Sequence, residues 1–85
     1  MEVKEAVRCA RGFILDMFGD EQISDIGLEE VDFDSKKKEW YITFGFSRPW
    51  DVGPLIVKPN RSYKVVRIND ATGDVLSVKD REIPS

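Results

Sequence analysis

Few side chains in this 85-residue sequence are of types that do chemistry. It contains no histidine, which removes the commonest general base near neutral pH and the commonest metal ligand. Its one cysteine, Cys9, has no imidazole partner and lies beside the apolar stripe of a helix. It reads as a partly buried structural thiol rather than a nucleophile, and a lone cysteine allows no internal disulfide. Glu30, Asp32 and Asp34 alternate along one strand face. Three such carboxylates could bind a hard cation or a basic partner, but no further oxygen-rich motif follows them, so they read as the solvent side of a half-buried strand. The stretch from Asn69 to Asp74 lacks the acidic spacing and closing glutamate of a calcium loop and reads as a turn. Gly27, Gly45 and Gly53 are too dispersed for a phosphate-cradling loop. Lys36, Lys37 and Lys38 form the only basic run, between Asp34 and Glu39, and fit a solvated hairpin tip. No catalytic group, metal or cofactor is expected.

The strongest functional candidate is the segment 48–61. Pro49, Pro54, Pro59 and Gly53 exclude a regular element there, yet Trp50, Val52, Leu55, Ile56 and Val57 make it apolar. Such a loop either folds back over its own core or meets another surface. Arg48, Trp50, Asp51 and Leu55 are its candidate contact residues, since tryptophan and arginine dominate binding hot spots and a stiff loop loses less entropy on binding. Tyr41 and Tyr63 are expected to share the outer sheet face with Val65, giving a modest apolar patch suited to a homodimer or a protein partner.

The elements that must carry these residues follow from hydrophobic period. Val3, Ala6, Val7, Ala10, Phe13, Ile14, Met17 and Phe18 fall on one stripe at helical spacing. Leu15 lies off its centre, and Gly19 stands where a left-handed cap favours glycine. A helix over about 3–18 is predicted. Residues 20–27 read as a connection. A strand over about 28–34 has Val31 and Phe33 on one side, with Leu28 out of phase, so a bulge is expected near Glu29 and Glu30. The clearest strand is about 39–47, where Trp40, Ile42, Phe44 and Phe46 alternate with Tyr41, Thr43, Gly45 and Ser47. A third, about 62–69, puts Val66 and Ile68 opposite Tyr63 and Val65. Asp70, expected to bond the backbone two residues on, and Gly73 with positive φ make the next turn. A fourth strand covers about 75–80, with either Val75 or Leu76 facing inward. Residues 81–85 read as a tail.

Composition sets the limits. Eighty-five residues make one domain. The hydrophobic fraction of 41% supports a modest core, and the well-mixed charged fraction of 34% suits a solvated globular surface. With net charge −3 and pI about 4.9, the chain has no basic stripe of the kind phosphate contacts need, so nucleic-acid binding is not expected. No apolar run approaches the roughly 18 residues of a membrane span. The opening residues do not resemble a signal peptide, which makes the cytoplasm the expected compartment.

A helix, then Trp40-Tyr41-Ile42-Thr43-Phe44, then Tyr63-Lys64-Val65-Val66-Arg67-Ile68 followed by Asp70-Ala71-Thr72-Gly73-Asp74-Val75-Leu76, resembles a PepSY-type domain, most closely in the D-x-x-T-G-x-V-L hairpin. The resemblance implies an α+β, cystatin-like fold with the N-terminal helix packed on a curved four-stranded antiparallel meander, and a role in binding or inhibiting proteases. The Q-x-V-x-G hairpin of cystatins is absent, and Pro49-Trp50 lies between the second and third strands rather than the last two, so protease inhibition is assigned to no residue. The expected function is a non-catalytic binding or regulatory module acting through protein contacts, inhibitor-like or immunity-like. The alternative is a small-ligand binder or accessory enzyme subunit using a helix–sheet pocket lined by Trp40, Phe44 and Phe46.

Overall fold

A computed structural model of the chain describes residues 1–49 and 61–82. The predicted helix is α1, Val3–Phe18. It needs little help from capping: Glu2 makes no side-chain cap bond, and Glu5 supplies the favourable negative charge of the first turn. Its stability comes from one face. Ala6, Ala10 and Ile14, spaced four apart, are fully buried, and two alanines in that row let the helix backbone approach the sheet closely. Val3 and Met17, which the stripe also includes, are instead exposed.

Gly19 does not take the expected left-handed conformation. It stays right-handed (φ −59°) and the chain tightens into a 3-10 turn, Gly19–Glu21. The left-handed residue is Gln22, at φ 55°, whose N–H donates to the Gly19 carbonyl at 3.1 Å. The cap thus shifts by one short turn, which continues the ladder for three residues before the chain reverses.

The sheet is a four-stranded antiparallel meander in the order β1-β2-β3-β4. Its strands are β1 Ser24–Asp34, β2 Glu39–Ser47, β3 Ser62–Asn69 and β4 Val75–Asp80. The last three match the expected spans. β1 starts four residues earlier than its hydrophobic pattern suggested. Two register shifts, between Ser24 and Gly27 and between Leu28 and Glu30, break its alternation, and the second is the expected bulge. The first comes with Asp25 at φ 53°, and it hides the strand from a period-two reading.

The inner face carries Ile42, Phe44, Phe46, Val66 and Ile68, all buried against Ala6, Ala10 and Ile14. Burying each large apolar side chain contributes about 1.5–3 kcal/mol. α1 lies on β2 and β3. The Phe18 and Phe46 rings meet at 5.5 Å between centroids, and Phe33 lies against Trp40 at 4.7 Å. The Cys9 thiol is half-buried and donates to the Gly73 carbonyl at 3.6 Å. In the last hairpin, Val75 pairs with Ile68 and Val78 with Val66, a register shift lies between them, and Leu76 is exposed. Val75 is therefore the residue that faces inward.

The two hairpin tips on the β1-β2 and β3-β4 side are bonded to each other. The Asp70 N–H donates to the Lys38 carbonyl, and the Trp40 indole N–H donates to Asp70 Oδ1 at 2.8 Å. The local turn bonds come from Asn69, not Asp70: Asn69 Oδ1 accepts from the N–H groups of Ala71 and Thr72. Gly73 has the expected positive φ, 76°. Asp70 instead accepts from Trp40 across the tip, and that bond is the main cause that holds its carboxyl below the usual carboxylate range. Among the described residues, no helix is long and apolar enough to cross a membrane.

Candidate protein-binding surface

Side chains on a strand alternate between faces, so the residues opposite the core follow directly from the register. Two cross-strand rows result. One runs Asp32, Tyr41, Arg67, Ser77; the next runs Glu30, Thr43, Val65, Lys79. The rows share a charge gradient. Carboxylates stand on β1, cations on β3 and β4, and aromatic or aliphatic groups occupy the middle.

These rows enclose a hollow of about 620 Å³, lined among others by Glu30, Asp32, Tyr41, Thr43, Val65 and Arg81. Thr43 forms its floor and is only 2% exposed. Arg81 explains part of that cover. Its backbone N–H donates to the Tyr63 carbonyl on β3 at 2.9 Å, while its guanidinium reaches Glu30 on β1 at 3.1 Å from Nε. The side chain therefore lies across the β2 residues between them. The sequence reading assigned Arg81 to a tail; the backbone bond to Tyr63 and the ion pair to Glu30 instead hold it against the sheet. A separation of 51 residues between the partners leaves no local signal for such a contact.

Several other charged groups here are paired along the surface. Tyr41 Oη donates to Glu39 Oε1 at 3.2 Å, and Arg67 Nε lies 3.3 Å from the same oxygen. Asp34 closes the β1-β2 tip by accepting from the N–H groups of Lys36 and Lys37, and the Lys37 bond is the main cause of its lowered carboxyl pKa. Asp32 is exposed and forms no ion pair among the described residues. Glu30, Asp32 and Asp34 spread along β1 instead of converging. Among the described residues, no group of three or more histidine, cysteine or carboxylate side chains is placed to hold a metal ion.

Tyr41 and Tyr63 do lie on this outer face, but they do not touch as a pair. Tyr41 stands opposite Arg67 and Tyr63 opposite Gly45, with the Thr43–Val65 pair between. Tyr63 lies over Gly45, where a Cβ would come within 2.8 Å of its ring. Arg48 is placed elsewhere, on the core side. Its Nε approaches Glu21 Oε1 at 2.6 Å as an ion pair, its Nη1 donates to Ser62, and its guanidinium stacks 5.7 and 5.4 Å from the Phe18 and Phe46 ring centroids. It clamps the end of α1 onto β2 and β3. Trp50, Asp51 and Leu55 lie outside the described residues.

The helix–sheet boundary offers space in a different place from the one expected. Phe44 and Phe46 are buried against α1. The opening at that boundary, about 470 Å³, lies instead beside Val3, Val7, Leu28 and Val31. No protein family, characterised protein or solved structure matches this chain.

Proposed function

We propose that this chain is a non-catalytic binding module that meets a protein partner, or a second copy of itself, through the outer face of its sheet, in an inhibitor-like or immunity-like role. The observation that carries this reading is the open hollow on the outer face, where Tyr41 and Val65 lie among the carboxylates Glu30, Asp32 and Asp34, with Lys36 and Arg81 also lining it. A protein partner with basic groups can answer the carboxylates and cover Tyr41 and Val65, and charge complementarity of this kind sets orientation and partner choice more than raw affinity. The lack of histidine in the sequence supports a role without acid–base chemistry. A single cysteine supports a reducing compartment such as the cytoplasm. In this reading the chain is kin to the PepSY-type and cystatin-like binding domains that its hairpin sequence, Asp70-Ala71-Thr72-Gly73-Asp74-Val75-Leu76, resembles. The apolar residues of segment 48–61, with Trp50, Asp51 and Leu55, supply a second contact region in this reading.

The test uses the intact chain as bait in an extract of the cells that encode it. The wild type is expected to retain a discrete protein that a Tyr41→Ala/Val65→Ser double variant loses and a Leu76→Ala variant keeps. Sedimentation of the same three proteins separates a homodimer from a complex. If the double variant, folded by circular dichroism, retains the same protein and the same oligomeric state, the outer-face reading is wrong. The same comparison with Trp50→Ala decides whether the loop takes part.

A further inference from the structure

Among the described residues β1 is an edge strand, paired with β2. α1 lies chiefly on β2 and β3, and although Ile26 and Val31 of β1 reach the core, the described residues leave part of the inner side of β1 open. Leu28 is 49% exposed and Phe33 40%, although both point to the core side of the sheet. Between this strand and the first half of α1 runs a groove of about 470 Å³, lined by Val3, Lys4, Val7, Arg8, Leu28 and Val31. Its floor is aliphatic. Its charged groups are both cations, and neither Lys4 nor Arg8 forms an ion pair among the described residues.

We infer that this groove binds an extended segment of a partner protein as an added strand on β1, with apolar side chains at alternate positions and acidic side chains at one end. This does not rest on the outer-face reading. From Glu30 to Asp34 the pairing of β1 with β2 is continuous, without a bulge, and no proline or inward-pointing charge blocks the far edge of that stretch. An extended segment satisfies the unpaired main-chain groups of that edge and places every second side chain on the floor, which a helix in the groove would not do. Lys4 and Arg8 then select carboxylates on the inward side. On the opposite face the strand would stand beside Glu30 and Asp32, which favours lysine or threonine there, since opposite charges across a strand pair attract and like charges repel.

The same rows argue against a second copy of this chain as the occupant. Antiparallel pairing of β1 with itself, centred on Asp32, sets Asp32 against Asp32 and Glu30 against Asp34, placing like charges opposite each other. It would also bring Lys4 and Arg8 no carboxylate on the inward side, where β1 offers Leu28, Val31 and Phe33.

The probe is a short end-blocked peptide of alternating valine and lysine that closes on two glutamates, titrated into the full chain and followed by amide and methyl NMR shifts. Binding is expected at Leu28, Val31 and Phe33 of β1 and at Val3 and Val7 of α1, as saturable shifts over the titration. A Lys4→Glu/Arg8→Glu variant, exposed at both positions and checked for an unchanged melt, is expected to bind at least about tenfold more weakly. A peptide that closes on two lysines should restore binding to that variant. No binding at millimolar peptide, binding indifferent to the charge reversal, or shifts confined to β4 or the outer face would each overturn the proposal. So would a dimer that Leu28→Glu dissociates, because a second copy would then hold the groove.

Discussion

Gly45 and Tyr63 show how one residue type can be required by its neighbour across the sheet. A Cβ at position 45 would lie 2.8 Å from Tyr63 Cε1 and 3.0 Å from Glu29 Oε1. The glycine is there because the tyrosine ring lies over it, an arrangement in which an aromatic side chain covers what a strand glycine leaves bare. Gly45→Ala is expected to destabilise the protein by about 1–3 kcal/mol, because the ring must move off its site. In a Tyr63→Ala background the same change should cost at least about 0.5 kcal/mol less, and urea denaturation of the four proteins of the cycle measures the coupling. Equal costs in the two backgrounds would mean that the ring does not exclude the side chain. None of this was legible beforehand. Gly45 sat in a clear alternation, and only the register that puts it opposite Tyr63 gives it a reason.

At the scale of elements, α1 and β2 were readable because each carries a strong period with few interruptions. Gly12 was the one discordant residue of the helix, and it stays discordant: an added Cβ there meets nothing within 4 Å. Gly12→Ala should therefore raise stability by about 0.5–1 kcal/mol, seen as a higher urea midpoint at unchanged slope. Ile14→Ala, in the fully buried row two residues on, should lower it by about 2–5 kcal/mol. The opposite signs on one helix separate backbone propensity from packing. A destabilising Gly12→Ala would mean that this face of α1 makes a contact which an added Cβ disturbs. The start of β1 and the inward residue of β4 were not legible, for a shared reason. Each lies at a register shift, and a bulge inserts a residue that breaks the period on which strand reading depends.

For the whole molecule, the three carboxyls held below their usual range make stability depend on acid. Asp70 is lowered chiefly by the Trp40 indole, Asp34 by the Lys37 backbone N–H, and Asp80 by the Lys64 ammonium. A depressed folded-state pKa contributes stability that is present above the unfolded value, about 3.9 for aspartate, and is lost as pH falls through the folded one. Stability is thus expected to be level near neutrality and to fall on acidification below about pH 4. The Asp70 contribution joins two distant hairpin tips, so Asp70→Asn should flatten the acid limb of a plot of unfolding free energy against pH. Superimposable acid limbs for wild type and variant would show that Asp70 titrates alike folded and unfolded.

The sequence alone determined the class of fold, the span of α1 and of three strands, and the core-facing side chains of β2 and β3, because these depend on periodicity and on the chain's few breaking residues. It also confined the chemistry, since a chain without histidine and with one cysteine has few acid–base or nucleophilic arrangements open to it. The tertiary structure decided where each surface side chain sits and what it touches. Arg48, expected at a contact surface, clamps α1 onto the sheet, and Arg81, expected in a tail, lies across the outer face. The groove of Lys4, Arg8 and Leu28 exists only because α1 settles over β2 and β3 and leaves β1 half covered. Such outcomes join residues tens of positions apart, and a pattern that repeats every two or 3.6 residues carries no information about them.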